Sequence, residues 1–342
     1  MESYLSPALR PTLILAAQST ISDTGEASDF SDRDRQYLNS EAEQWLHQGI
    51  AYFRQGRFPP ALALIQQSLL AYQRLNNQPR VARVLLALSA LYYRLADYLW
   101  AIDYGRQCLG VVQNLQNPAL LQEVLDHLGN SYRHLGDLSQ ALDYMQQSLD
   151  LAYQIKDQPA TMRALNNLAM VYRARGENHQ AAQLYQASLE IAQETNQVTV
   201  ELYVLQNLGN TYRSLQHYSQ AIKCYEGFLK LHQESNQKSN WASGVVDNHT
   251  IRRILNHLIT LTLAVHDYNR AIVHLQHHLT IACALGDNRC AATLVDKLHQ
   301  CYAALNQARG FRAPLIQEGT GTALGSVPIQ ERMYTLENPS HS

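Results

Sequence analysis

The chain has 342 residues, of which 46 % are apolar and 16 % are charged, and its net charge at pH 7 is −2. The apolar fraction is enough for a continuous core, and the near-neutral charge gives no bulk reason to expect binding to nucleic acid or to an anionic membrane. No apolar run reaches the ~18 residues of a membrane span, and Leu13–Ala17 is shorter than a signal-peptide core, so we expect a cytoplasmic protein.

The N-terminal residues differ from the rest of the chain. Residues 1–38 have little periodic apolar character, and Ser22–Asp34 is acidic and polar, so we expect a disordered segment. Within it, Glu26–Asp32 surrounds Phe30 with acidic residues. One hypothesis is that this stretch docks in a groove of the following domain and competes with partners. The alternative is a plain solubilising tail.

A fixed period of 40 residues follows. A Tyr recurs at Tyr52, Tyr92, Tyr132, Tyr172 and Tyr212. Nine residues after each Tyr comes Ala61, Ala101, Ala141, Ala181 and Ala221, and three residues before each comes Gly49, Ser89, Gly129, Ala169 and Gly209. A period of about 20 to 50 residues is typical of repeat proteins. The sequence therefore predicts five regular units between about residues 42 and 237.

Each unit reads as two helices. In the fourth copy, residues 164–196, apolar residues recur three or four positions apart on both sides of Arg175–Glu177, where Gly176 is typical of a helix end. The recurring small residues leave room for the two backbones to approach closely. A larger side chain there would separate the helices at a cost of about 1–3 kcal/mol.

This pattern resembles the tetratricopeptide repeat. Trp45, Gly49, Tyr52 and Ala61 match most of its Trp-x2-Leu-Gly-x2-Tyr…Ala-x3-Phe signature, in a long form of 40 residues instead of about 34. HEAT and armadillo units have a similar length but are not expected to keep this spacing. The resemblance implies an all-α fold, a right-handed superhelical α-solenoid of antiparallel helix pairs.

The sixth unit is irregular. Ala271 follows Ala221 by 50 residues, which places an insertion near residues 238–247. Ile259 and Thr262 replace the small residue and the Tyr, so the packing of this helix pair is open to question. A last helix, about residues 288–307, is expected to cap a solenoid of six units over residues 39–309. Residues 310–342 contain Gly and Pro but no amphipathic helix, and we expect a disordered tail.

The resemblance also implies a binding surface, because the first helix of each unit lines the concave groove. Arg133, Arg173 and Arg213 share one position of the repeat. The candidate peptide-binding residues are Asn130, Arg133, Arg163, Asn166, Asn167, Arg173, Gln206, Asn207, Asn210, Arg213, Arg253 and Asn256. Asn can bind both the N–H and the C=O of an extended peptide, and Arg can hold a carboxylate.

Together these residues favour a groove for an extended, acidic segment of another protein, and the stretch Leu165–Ala169 is similar to kinesin light chain repeats. The alternative is that each Arg is simply solvated at a helix end, where cations offset the helix dipole. Glu123 and Asp126 lie among these bases and can neutralise them.

Histidines form a second candidate site. His274 and His278 are four residues apart on one predicted helix face, as two metal ligands would be, but no further ligand can be named and a structural role is the alternative. The five Cys form no Cys-x-x-Cys pair, which fits a reducing compartment.

No catalytic motif is present in the sequence. We therefore expect a non-catalytic scaffold or adaptor without a cofactor. The alternative is an assembly factor for a larger complex, for example in photosystem biogenesis, that carries metal through the His-rich sixth unit. A helical-repeat RNA-binding protein would need a basic surface, which the net charge of −2 argues against.

Overall fold

The computed structural model describes residues 31–238 and 246–308. Within these ranges the secondary structure consists of thirteen α-helices. The predicted all-α fold of repeated helix pairs is confirmed, whereas the handedness of its superhelix stays a prediction. The helices fall into two compact units that divide between Val246 and Asp247.

The first unit contains five helix pairs. Its helices are α1 (Asp32–Arg54), α2 (Phe58–Arg74), α3 (Gln78–Arg94), α4 (Tyr98–Val112), α5 (Pro118–Leu135), α6 (Leu138–Gln154), α7 (Gln158–Ala174), α8 (Asn178–Glu194), α9 (Val198–Ser214) and α10 (Tyr218–Lys238). The odd-numbered helices are the first helices of the pairs. Neighbouring first helices also contact one another, α1 with α3, α3 with α5 and α5 with α7. Helices α1, α3, α5 and α7 therefore form a continuous layer.

The N-terminal boundary differs from the expected one, because α1 begins at Asp32 and not after residue 38. The hydroxyl of Ser31 accepts a hydrogen bond from the Asp34 N–H at 3.3 Å. Acidic side chains in a first turn also offset the helix dipole. At residues 31–34, the acidic composition that we interpreted as a sign of disorder therefore belongs to the start of a helix. Residues 1–30, 239–245 and 309–342 lie outside the described ranges, and the predictions for both tails and the insertion stay predictions.

The helix pairs approach closely at the recurring small residue, for the steric reason predicted. A Cβ added to Gly129 would lie 2.8 Å from Met145 Cε, and one added to Gly209 would lie 2.7 Å from Tyr225 Cε1. Both distances are far below van der Waals contact. The Ala residues that follow the Tyr residues by nine positions are fully buried, namely Ala61, Ala101, Ala141, Ala181 and Ala221.

In the third and fifth pairs, the small residue of the close contact lies on the first helix and the large residue lies on the second. The second pair reverses this order of sizes. Ser89 on α3 stands where the other pairs have Gly or Ala, and Gly105 on α4 stands where the third pair has Met145. A Cβ on Gly105 would lie 3.4 Å from Ser89 Oγ and 2.7 Å from Leu128 Cδ2. Ser89 Oγ donates instead to the Ala101 carbonyl at 2.8 Å. The close contact is therefore kept with the larger side chain on the other helix.

A side-chain hydrogen bond between the two helices also recurs in three of these pairs, the first, second and fourth. Its donor lies 26 residues after its carbonyl acceptor, as in Ser68 to Ala42 (2.8 Å), Cys108 to Ala82 (3.1 Å) and Ser188 to Met162 (3.0 Å). Each donor is fully buried, and so the bond ties the two helices of a pair together inside the core.

The turn inside each pair places one residue in the left-handed region of backbone space. Gly56, Gly136 and Gly176 fill this position in three pairs, as predicted for helix ends. Ala96 (φ 58°) and Gln216 (φ 60°) fill it in the second and fifth pairs. Because their Cβ atoms disfavour this conformation, these two turns are strained.

The second unit contains α11 (Asn248–Ala264), α12 (Tyr268–Ala284) and α13 (Asn288–Ala308). The α11–α12 pair does pack, although its packing was open to question. Ile259 joins a core cluster with Ala271 and Leu275, and the buried Thr262 donates its hydroxyl to the Leu258 carbonyl at 2.7 Å. Helix α13 packs against α12. The larger Ile259 is thus accommodated without loss of the helix pair.

Candidate functional site

The predicted binding positions lie on the first helices of the first unit, and we call this face of α3, α5, α7 and α9 the groove surface. It contains two adjoining cavities. The larger, about 500 Å³, is lined by residues that include Arg83, Gln122 and Arg163. The smaller, about 250 Å³, is lined by Tyr93, Glu123, Asp126, His127, Asn130, Arg163 and Asn167. Three of the predicted residues, Asn130, Arg163 and Asn167, therefore line one cavity.

A buried carboxylate lies in the wall of the smaller cavity. Ser148 Oγ donates to Asp126 Oδ1 at 2.7 Å, and Gln122 Nε2 donates to Asp126 Oδ2 at 3.0 Å. Burial raises the pKa of Asp126, and the hydrogen bonds from Ser148 and Gln122 and the charge of Arg163 oppose that rise. Asp126 therefore partly neutralises Arg163, which leaves this end of the groove surface mixed in charge.

Two predicted Asn side chains are buried with an incomplete set of hydrogen bonds. Asn166 is 5 % exposed and Asn207 is 6 % exposed. In the described part of the chain, Asn166 Oδ1 and Asn207 Nδ2 have no hydrogen-bond partner. Buried polar groups nearly always have partners, so an acceptor and a donor on neighbouring first helices are left available for a ligand.

Three predicted residues share one repeat position, namely Arg133, Arg173 and Arg213, but their surroundings are less uniform than this spacing suggests. Arg133 Nη2 lies 2.8 Å from His134 Nε2, while Arg133 Nε is buried and has no hydrogen-bond partner among the described residues. Arg173 is half-buried, and Arg213 is exposed. Burial raises the pKa of Tyr93, and the charge of Arg133 opposes that rise. The three Arg residues thus share a repeat position but have different surroundings.

Tyr185 was missed as a site residue, because its spacing indicates only a core position. It is fully buried on α8, and its hydroxyl has no hydrogen-bond partner in residues 31–238 or 246–308. Burial raises its pKa, and the charges of Arg173 and Arg133 oppose that rise. No pattern in the sequence marks this hydroxyl, since Tyr225 occupies the same repeat position with a partner.

The remaining predicted residues lie on α9 and α11. Asn210 Oδ1 accepts a hydrogen bond from the Tyr225 hydroxyl at 2.7 Å, so its amide also has a structural role. Gln206 is half-buried on α9. Arg253 and Asn256 are exposed on α11, which belongs to the second unit.

The two candidate metal ligands are both buried on α12. His278 Nε2 lies 3.4 Å from Arg252 Nε and 4.0 Å from Cys290 Sγ. In the described ranges, no group of three or more His, Cys, Asp or Glu side chains could hold a metal ion. His278 instead takes the repeat position at which Ser68 and Ser188 donate across their helix pairs.

The Cys residues are free thiols. Burial raises the pKa of Cys108 to about 12 and that of Cys224 to about 11. Thiols of this kind are poor nucleophiles at neutral pH. Among the described helices, none is long and apolar enough to cross a membrane.

Tetratricopeptide repeat profiles match residues 41–114, 120–194 and 204–239, which together make up more than half of the chain. No curated protein sequence matches the chain.

Several solved structures share the fold. Aspartyl phosphate phosphatase F from Bacillus subtilis has a TM-score of 0.55 and 13 % identity, over 94 % of this chain and 85 % of that one. A Rap protein complexed with competence and sporulation factor has a TM-score of 0.52 and 16 % identity, over 80 % and 81 %. Repeats of a putative kinesin light chain from Podospora anserina have a TM-score of 0.52 and 15 % identity, over 58 % and 98 %. The chain belongs to the tetratricopeptide repeat family, whose repeats serve as protein–protein interaction scaffolds.

Proposed function

We propose that the groove surface of the first unit binds an extended, acidic segment of a partner protein. The observation that carries this proposal is the pair of buried amides on neighbouring first helices. Asn166 Oδ1 can accept from a peptide N–H, and Asn207 Nδ2 can donate to a peptide C=O. An extended backbone needs both kinds of partner, and it would supply what these two buried atoms lack.

The charge of the groove surface supports an acidic segment. At its mixed end, Arg163 faces Asp126, and Glu123 lines the same cavity. Arg133 and Arg173 form no ion pair within the described ranges, so they carry the uncompensated positive charge. We therefore place the acidic side chains of the partner beside Arg133 and Arg173, where guanidinium groups can hold them bidentately.

The fold offers a precedent only at the level of architecture. The similar Rap protein was solved in complex with competence and sporulation factor, so a fold of this kind can hold a ligand. We expect this chain to act without catalysis, as an adaptor that brings its partner to another component. In the described residues no observation favours the metal-carrying assembly factor, which stays an alternative prediction.

The test compares two triple variants of the full chain. In the first, Arg133, Arg173 and Arg213 are all replaced by Ala. In the second, three exposed Arg residues outside the groove surface are replaced by Ala, namely Arg33, Arg35 and Arg74. Both variants lose the same charge, and both should keep their helical circular dichroism.

Proteins captured from the native host are then identified by mass spectrometry. We expect the groove variant to lose the partner that the wild-type chain captures and the control variant to keep it. Capture that survives in the groove variant would place the partner elsewhere on the chain and refute the proposed site.

A further inference from the structure

We infer that the groove surface contains a subsite for a phosphoryl group, formed by Arg133, Arg173 and the hydroxyl of Tyr185. The group would be carried by a phosphorylated side chain of the bound segment. This inference rests on the proposed peptide-binding function and specifies the chemistry of its acidic partner.

The Tyr185 hydroxyl lacks the partner that the repeat gives to its counterpart. In the fifth pair, the hydroxyl of Tyr225 donates to Asn210 Oδ1 at 2.7 Å. In the fourth pair, the residue equivalent to Asn210 is Met170, whose sulfur accepts from the Tyr203 hydroxyl at 3.2 Å. The Tyr185 hydroxyl is therefore a fully buried donor without an acceptor among the described residues. Such a group is costly to keep, and a ligand oxygen would satisfy it.

Arg173 lies one helical turn after Met170 on α7, and Arg133 takes the same repeat position on α5, a first helix that contacts α7. The charges of both Arg residues oppose the rise in the pKa of Tyr185 that burial causes. Arg133 Nε is a second buried donor for which the described residues offer no acceptor. By contrast, Arg80, which lies near the buried ring of Tyr72, is paired with Glu43 at 2.9 Å. The subsite thus combines two cations that have no carboxylate partner in the described ranges with two unmatched buried donors.

This combination matches a phosphoryl group better than a carboxylate. Two guanidinium groups contribute a charge of about +2, whereas a carboxylate carries −1 and a phosphorylated side chain carries about −1.5 to −2 at pH 7. A phosphoryl group also presents three acceptor oxygens, enough for Arg133 Nε, Tyr185 and the Arg173 guanidinium together. In this inference the subsite would open by rotation of the Tyr203 side chain, which is 46 % exposed and whose hydroxyl bonds to the Met170 sulfur at 3.2 Å.

The first experiment measures the melting temperature of the full chain while inorganic phosphate is titrated at constant ionic strength. A ligand that binds the folded state raises this temperature. We expect phosphate to stabilise the wild-type chain. Y185F should weaken its affinity for phosphate by about 10- to 100-fold, which is the effect of one hydrogen bond to a charged group.

Y225F is the matched control. It removes a hydroxyl that has a partner, so it should lower the melting temperature without phosphate and keep the phosphate response. Y185F should not lower that temperature, because it removes only an unsatisfied group. The inference is overturned if phosphate does not stabilise the wild-type chain, or if it stabilises Y185F to the same extent.

The second experiment separates the source of the phosphoryl group from the groove itself. Degenerate acidic peptides that contain either phosphoserine or glutamate at one position are passed over the immobilised wild-type chain. Stronger retention of the phosphoserine peptides supports the inference. Equal retention of both sets refutes the phosphoryl subsite but leaves the proposed function standing. If neither set of peptides is retained, the phosphoryl subsite and the proposed function are both refuted, even where inorganic phosphate binds.

Discussion

Replacing Gly209 with Ala would test the close helix contact that recurs through the first unit. Its added Cβ would lie 2.7, 2.9 and 3.0 Å from three ring atoms of Tyr225. The ring cannot move aside easily, because Tyr225 is fully buried and its hydroxyl is bonded to Asn210. Gly110 offers a matched control in another helix, since a Cβ added there would meet no atom within 4 Å.

The two substitutions should have opposite signs. Ala gains about 1 kcal/mol over Gly in a helix, and this gain applies at both positions. At Gly209, overpacking against a rigid ring costs about 3 kcal/mol, the upper end of the usual range. The net effect is a loss of about 2 kcal/mol for G209A and a gain of up to about 1 kcal/mol for G110A.

For a unit of this size, the loss lowers the melting temperature by roughly 4–8 °C. Urea and thermal unfolding, followed by circular dichroism at 222 nm, measure both variants beside the wild-type chain. If G209A proves as stable as the wild type, or if both variants shift in the same direction, the close contact does not control the packing of the pair.

Two further predictions concern a turn and the buried carboxylate. A96G should stabilise the first unit by about 1 kcal/mol, because Gly adopts the left-handed conformation of this turn without the Cβ penalty. Urea unfolding measures this gain, and an unchanged free energy of unfolding would contradict it. Because the pKa of Asp126 is raised in the folded chain, its contribution to stability declines as pH rises from its ordinary value of 3.8 through the raised one. D126N should remove this decline, and parallel stability–pH curves for the variant and the wild type would show that Asp126 does not cause it.

The fold could be predicted because one period governs most of the chain. Each pair must bury the same faces. The repeat positions of Tyr132, Ala141 and Gly129 therefore keep similar residues from one pair to the next. The period says less about the conformation of single turns. Ala96 adopts a left-handed conformation that favours Gly, and nothing about an Ala at this position indicates that conformation. The period also gives no information on the N-terminal end of the first unit, where a capped helix start at Ser31 has the same acidic composition as a disordered segment.

The candidate site could be predicted by position but not by environment. The repeat register identified Asn166, Asn207 and Arg133 as neighbours on one surface. It could not show which of these atoms already have partners, because that depends on contacts between pairs. The counterpart of Tyr185 in the next pair, Tyr225, bonds to Asn210, whereas Met170 stands at the corresponding position of the fourth pair. The identity of a residue on another helix therefore bears on whether this buried donor has a partner.

The reversed size order of the second pair has a consequence for how the chain finds its fold. Because the repeats are alike, a folding chain can pair a first helix with the second helix of a neighbouring repeat. Helix α3 on α6 would press Ser89 against Met145, in a space that fits only Gly, and α5 on α4 would leave a hole between Gly129 and Gly105. Both mispaired arrangements are therefore less stable than the native one. Side-chain volume at these four positions helps each first helix to select its own partner.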